Sequence, residues 1–210
     1  MALVSAIFTA VSGRTGETIS TTSSPTEAQC IQFLNEDIEW LTSICAEEKS
    51  DIGQSLGEIT TVDGTSEYDD LSGMYCTADY GYVIKDYSRD RIKLVTSEKL
   101  LEYSPDDSAE NEPAEFYVDG SNNVILLPTP DDEYDVVIPY WAMPTDLTAT
   151  TDTVPFNGVF DGLLIEHLTM RWQNTEEYEL DFEYKWLQFL LTKARRLISM
   201  RKGRSVGVSL

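Results

Sequence analysis

Apolar positions recur at helical spacing toward both ends of the chain and at strand spacing in the middle. Ile31, Leu34, Ile38, Leu41 and Cys45 alternate steps of three and four, the single stripe of an amphipathic helix. Ser24, Pro25 and Glu27 read as its start: an N-cap, a proline at the first helical position and a capping-box partner. The stripe is expected to end between Ala46 and Gly53.

From Ser55 to Leu147 the pattern changes to short alternating or apolar runs separated by Gly, Pro and Asp clusters, which predicts strands at 58–62, 74–78, 81–85, 91–95, 115–119, 124–127 and 134–141. Asp63-Gly64 and Asp119-Gly120 mark tight turns, Pro128 to Asp132 interrupts two strongly apolar strands, and residues 104–113 read as an acidic loop.

Helical period returns after Pro155. Leu163, Leu164, His167, Leu168 and Trp172 share one side of a helix starting near Asn157. A last helix is expected from about Asn174, with Glu177 at its third position; Phe182, Trp186, Leu190, Ala194 and Leu197 form its stripe, widened by Leu187, Leu191 and Ile198. Gly203 is the expected C-cap. Residues 12–23 are rich in Ser, Thr and Gly, so 1–23 is expected to be a flexible arm. The sum is an α+β chain: a helical bundle made of the N-terminal helix and two C-terminal helices, with a small antiparallel β-domain inserted in it. In residues, the helical part is 24–54 and 155–201, the inserted β-domain 55–148 and the C-terminal tail 202–210.

A 41% hydrophobic content over 210 residues supplies a sizeable core and excludes wholesale disorder. Cys30, Cys45 and Cys76 have no CxxC spacing and read as free, mostly buried thiols of a reducing compartment. The apolar run 1–11 has no basic residue before it, which argues against a signal peptide, and no other stretch approaches transmembrane length.

Charge is divided by position. The net is −22, yet all 37 acidic residues precede Tyr184, and the chain beyond carries only the bases Lys185, Lys193, Arg195, Arg196, Arg201, Lys202 and Arg204. So acidic a body repels phosphates and excludes a DNA-binding module. Lys193, Arg195 and Arg196 are placed where a helix C-terminus favours cations, which explains them locally. Arg201, Lys202 and Arg204 lie past the helix core and are the stronger candidates for contact with a partner, with Arg195 and Arg196 as helix-borne support.

Catalytic chemistry is absent from the pattern. The single histidine, His167, sits among leucines on a helix and reads as a core residue rather than a general base. Neither a Cys/His metal set nor a P-loop, GxGxxG or GxSxG motif occurs, and the acidic run Asp131 to Asp135 lacks the ligand spacing of an EF-hand loop. No catalytic, cofactor or metal site is expected, and the chain does not read as an enzyme.

One ordered cassette is more specific. Pro113, Phe116 and Tyr117, then NVILLPTP from Asn123, Tyr134, VVIPYWAMP from Val136, Leu147 and Pro155 before a long helical segment resemble the head-to-tail adaptor (connector) proteins of tailed bacteriophages. The order of elements agrees over about 24–200, and the residue match is confined to 113–160.

The resemblance implies a structural virion protein at the phage neck, assembled in the host cytoplasm. It implies a ring, dodecameric in expectation, beneath the portal that joins capsid to tail and forms part of the DNA exit channel. Its partners would be the portal protein, a tail tube or nozzle protein and copies of itself; double-stranded DNA would pass without specific binding, and no membrane is involved. Acidic walls suit such a channel, because like charge discourages phosphate contacts. Tyr134, Tyr140 and Trp141 on the last hairpin are candidate subunit-interface aromatics, with core packing the competing assignment for this class of residue. The alternatives are another neck or tail component, such as a tail tube or head-completion protein, and an acidic DNA mimic that occupies a nucleic-acid-binding protein.

Overall fold

A computed structural model of the chain describes residues 2–69, 71, 73–100, 110–174 and 180–205. It is α+β and divides into two compact units: residues 1–53 with 144–210, and residues 54–143.

The first unit holds the long helices. Residues 4–15, expected to belong to a flexible arm, instead form α1 (Val4–Thr15), which buries Val4, Ile7, Phe8 and Val11. The i, i+3, i+4, i+7 stripe is present in the sequence but diluted by Ser, Thr and Gly. The first amides of α1 are satisfied by backbone: Val4 and Ser5 donate to the carbonyls of Asp152 and Thr150. The helix ends at Gly16, whose φ of 78° is left-handed.

The next helix, α2 (Glu27–Glu47), starts two residues later than Ser24-Pro25 suggested. Its N-cap is Thr26, whose hydroxyl accepts from the Gln29 amide while the Gln29 side chain accepts from the Thr26 amide. Replacing Thr26 by alanine removes this reciprocal pair and is expected to cost about 1 kcal/mol of unfolding free energy, measurable by urea titration. The stripe of α2 is buried as the spacing requires, from Cys30 through Leu34, Ile38 and Leu41 to Cys45.

After residue 143 the chain re-enters this unit. A short 3₁₀ turn, Phe156–Gly158, precedes α4 (Asp161–Gln173), so that helix begins later than Asn157. Asn157 itself has a φ of 52°, incompatible with a helical start. The last helix, α5 (Leu180–Ser205), runs through Gly203, which therefore does not cap it. The start expected near Asn174 with Glu177 lies partly outside the described residues. Leu190, Ala194 and Ile198, spaced four apart, are its fully buried positions. Within this unit α4 contacts α1, α2 and α5.

The second unit is one sheet. Its strands are β1 (Gln54–Thr60), β2 (Glu67–Tyr68), β3 (Met74–Thr77), β4 (Tyr80–Ile84), β5 (Arg89–Leu94), β6 (Glu115–Val118), β7 (Val124–Leu127) and β8 (Asp135–Ala142). A one-turn helix, α3 (Ser97–Leu100), follows β5. The order is β1-β8-β4-β5-β6-β7-β2, with β3 also on β8. Alternation places Ile59, Val83, Ile92, Phe116, Leu126, Val136 and Ile138 on one face, which is the core.

Two expectations change here. The sheet is not wholly antiparallel, because β5 and β6 run parallel, Lys93 opposite Glu115 and Leu94 opposite Phe116. The intervening 95–114 segment is long enough for the crossover that a parallel pair needs. In the β6–β7 turn the left-handed residue is Asn122, φ 69°, rather than Gly120; the Asp119 carboxylate accepts from the Ser121 and Asn123 amides and fixes the bend.

Candidate functional site

The outer end of α5 gathers the basic residues singled out by the sequence, but it does not leave them equivalent. Lys193 turns back to α4, with Nζ 2.6 and 2.5 Å from the two Glu166 oxygens. Arg195 reaches the end of α2, Nε 3.0 Å from Glu48 and Nη2 3.6 Å from Glu47. That pair clamps α5 to the C-terminus of α2, so Arg195 is a fastening within the chain. Arg196 and Arg201 are exposed and have no carboxylate partner among the described residues. The side chains of Lys202 and Arg204 lie outside the described residues.

Apolar groups flank these free cations. Phe189 and Met200 are 51% and 54% exposed, and Val159, Leu197, Met200 and Arg201 line a hollow of about 200 Å³. The exposed side of α5 thus presents hydrophobic area beside positive charge, a combination suited to an acidic protein surface rather than to bulk water.

Between α2 and α4 lies a charged cluster that sequence reasoning missed in part. His167 on α4 is 1% exposed and its Nδ1 stands 2.7 Å from Oδ1 of Asp37 on α2, itself 2% exposed. With the carboxylate accepting, Nδ1 carries the ring proton. Arg171, one turn further along α4, donates to Glu36 at 2.5 Å, lies 3.7 Å from Asp37 and covers the Phe33 ring. His167 is therefore a core residue, as its leucine neighbours implied. Asp37 carried a signal in the sequence: it falls three residues after Leu34 and four before Leu41, an acid on the apolar stripe.

The cysteines are poor nucleophiles. Burial, then Glu27, pushes the Cys30 thiol up to about 11; burial, then Asp51, pushes Cys45 up to about 12. Cys76 is raised too, by burial and then Asp79, but is only half-buried. Native protein treated with a thiol reagent at pH 8 is expected to label Cys76 first, and Cys30 and Cys45 only on unfolding, as read by mass spectrometry.

The aromatic candidates separate as well. Trp141 is 2% exposed, which removes it as a surface anchor. Tyr140 packs against the sheet core and is half-buried. Tyr134 is also half-buried and donates from its hydroxyl to Asp131 at 2.7 Å; that hydrogen bond, with burial and neighbouring acids, raises the phenol to about 12. Among the described residues no cluster of His, Cys, Asp and Glu is arranged to hold a metal ion, and no helix is long and apolar enough to cross a membrane.

A helical unit interrupted by a single sheet and ending in a long helix with cations on its outer side agrees with the neck-protein resemblance. The sequence model of the SU10 adaptor protein family matches residues 4–208, and the chain belongs to that family of phage head-to-tail adaptors. No curated protein matches it. The match extends the likeness from the 113–160 cassette to nearly the whole chain, α1 included.

Proposed function

We propose that the protein is a ring-forming adaptor, dodecameric in the virion, that sits beneath the portal, joins capsid to tail and lines part of the DNA exit channel. The carrying observation is membership of the adaptor family over residues 4–208 in a chain whose charge is −22 and whose cations concentrate at its end. In this reading the helices of the first unit act as a bundle that presents α5 to its partners. An acidic lumen lets double-stranded DNA pass without holding its phosphates.

Docking to the portal or to an adjacent subunit falls to the last part of α5 and the tail. Arg196 and Arg201 support this role because no carboxylate among the described residues claims them, and Lys202 and Arg204 continue the basic run. Arg195 supports it indirectly, by holding α5 against α2. The tail tube or nozzle protein is the partner on the opposite side of the ring. Tyr134 and Tyr140 remain candidates for the contact between copies.

Native mass spectrometry of the protein with purified portal rings tests the reading. Twelve copies per portal ring are the expected product; absence of any portal complex, together with absence of the chain from purified virions, would remove the adaptor role.

A further inference from the structure

Three of the cations in the acidic body stand in one row. Arg89, Arg91 and Lys93 alternate along β5, all exposed, all on the face of the sheet opposite its core. The row is left uncompensated although several other cations of the described residues are paired. Lys85 pairs with Asp90 and Glu112, Lys99 with Glu115, Arg171 with Glu36, and Lys193 with Glu166. None of the three in the row has a carboxylate partner among the described residues. Glu115, directly in register with Lys93, is taken by Lys99.

Beside the row lie aromatic rings. Register puts Tyr82 opposite Arg91 and Tyr80 opposite Lys93, on the same face; the two rings meet edge to face at 5.6 Å, and the Arg91 guanidinium covers Tyr80 at 4.8 Å. Positive charge over half-buried tyrosines is the composition of an interaction surface.

The row lies on the middle strand of the sheet, and the β1 edge of the same face has the opposite character. On β1, at the edge of the sheet, Leu56, Glu58 and Thr60 point outward, with Asp135 of β8 in register with Thr60. Leu56 is 63% exposed, and neither Glu58 nor Asp135 has a cationic partner among the described residues. β1 lacks the lysines, prolines and bulges that usually protect an open edge. Strand spacing sets Glu58, three strands away, about 14 Å from the basic row, and Asp135, two strands away, about 10 Å from it.

We propose that the Arg89–Arg91–Lys93 row, with Tyr80 and Tyr82, receives the acidic β1 edge of a second copy, so that Leu56 covers the tyrosines while Glu58 and Asp135 meet the cations. One face carrying complementary patches two to three strand spacings apart, about 10–14 Å, makes a head-to-tail contact, which closes into a ring when the rotation allows it. The contact also covers the open strand edge. It deepens the ring reading above, on which it rests, by naming the surfaces that join neighbouring copies.

The test uses two charge-reversed full-length chains, R89E/R91E/K93E and E58K/D135K, in sedimentation velocity at low ionic strength. Wild type is expected to self-associate, each reversal to weaken association tenfold or more, and the equimolar mixture of the two reversals to recover it, because each then offers what the other lacks. All five positions are exposed, so circular dichroism and thermal unfolding should match wild type. The proposal is overturned if wild type stays monomeric at every concentration, if the reversals associate as wild type does, or if the mixture fails to recover association. Attachment to portal rings is scored on the same proteins. Normal attachment of both reversals with unchanged sedimentation would sink this contact and leave the adaptor reading standing.

Discussion

Asp37→Ala is expected to lower the unfolding free energy of the helical unit by about 3–5 kcal/mol, the largest loss among the exposed and buried charges described. The reason is asymmetry. Asp37 is 2% exposed and faces both His167 and Arg171, so its removal leaves a buried imidazole without this acceptor and takes away one of Arg171's carboxylate contacts. Replacing both members, Asp37→Leu with His167→Leu, removes the demand along with the supply and is expected to recover most of the loss. Urea titration followed by helical circular dichroism reads both. A single variant within about 1 kcal/mol of wild type would mean the pair contributes little beyond ordinary packing.

Deleting residues 201–210 is expected to weaken attachment to portal rings by about tenfold or more at physiological salt, with thermal unfolding nearly unchanged. Among the described residues the last fully buried side chain of α5 is Ile198, and Arg201 is exposed, so the cut falls beyond the described core positions and removes charge. Screening provides an internal control: wild-type attachment should fall as salt rises, and that of the truncated chain should depend on salt much less. Arg196→Glu is expected to act in the same direction, since Arg196 is the exposed cation one turn earlier. Arg195→Ala should behave differently, loosening α5 from Glu47 and Glu48 and costing under about 1 kcal/mol because the pair is half exposed. Equal attachment of wild-type and truncated chains would sink the docking role.

Much of the local structure was legible because it depends on neighbours in sequence. The stripe from Cys30 to Cys45, the buried spacing Leu190, Ala194 and Ile198, and the alternation that exposes Leu56 while burying Ile59 all follow from periods of about 3.6 and 2 residues. α1 was obscured because Ser, Thr and Gly dilute its four apolar positions, and those positions form a helix through contacts that composition does not report. The basic residues were legible as a group but not as individuals. Nothing in the spacing distinguishes Arg195, fastened to Glu47 and Glu48, from its neighbour Arg196, left free. On a helix the two point about 100° apart, and only the position of α2 makes one of them internal.

The same holds for the acids and aromatics. Asp37 was visible as an acid on an apolar stripe, but its pairing with a histidine far along the chain needed α2 and α4 to be brought together. Trp141 and Tyr140 are adjacent on β8 and leave it on opposite faces, Tyr140 toward the sheet core, yet Trp141 is the more buried, which alternation along the strand does not foretell.

By itself, therefore, the sequence determined the α+β class, the course of most helices and strands, the split of charge and the likeness to head-to-tail adaptors, all of which rest on local period and order along the chain. Tertiary structure decided which charges are internal and which remain for a partner. It also produced the parallel β5–β6 pair and the basic row beside Tyr80 and Tyr82 on a sheet whose β1 edge is acidic. Those features join residues distant in sequence, and electrostatic and packing energies depend on separation in space rather than along the chain.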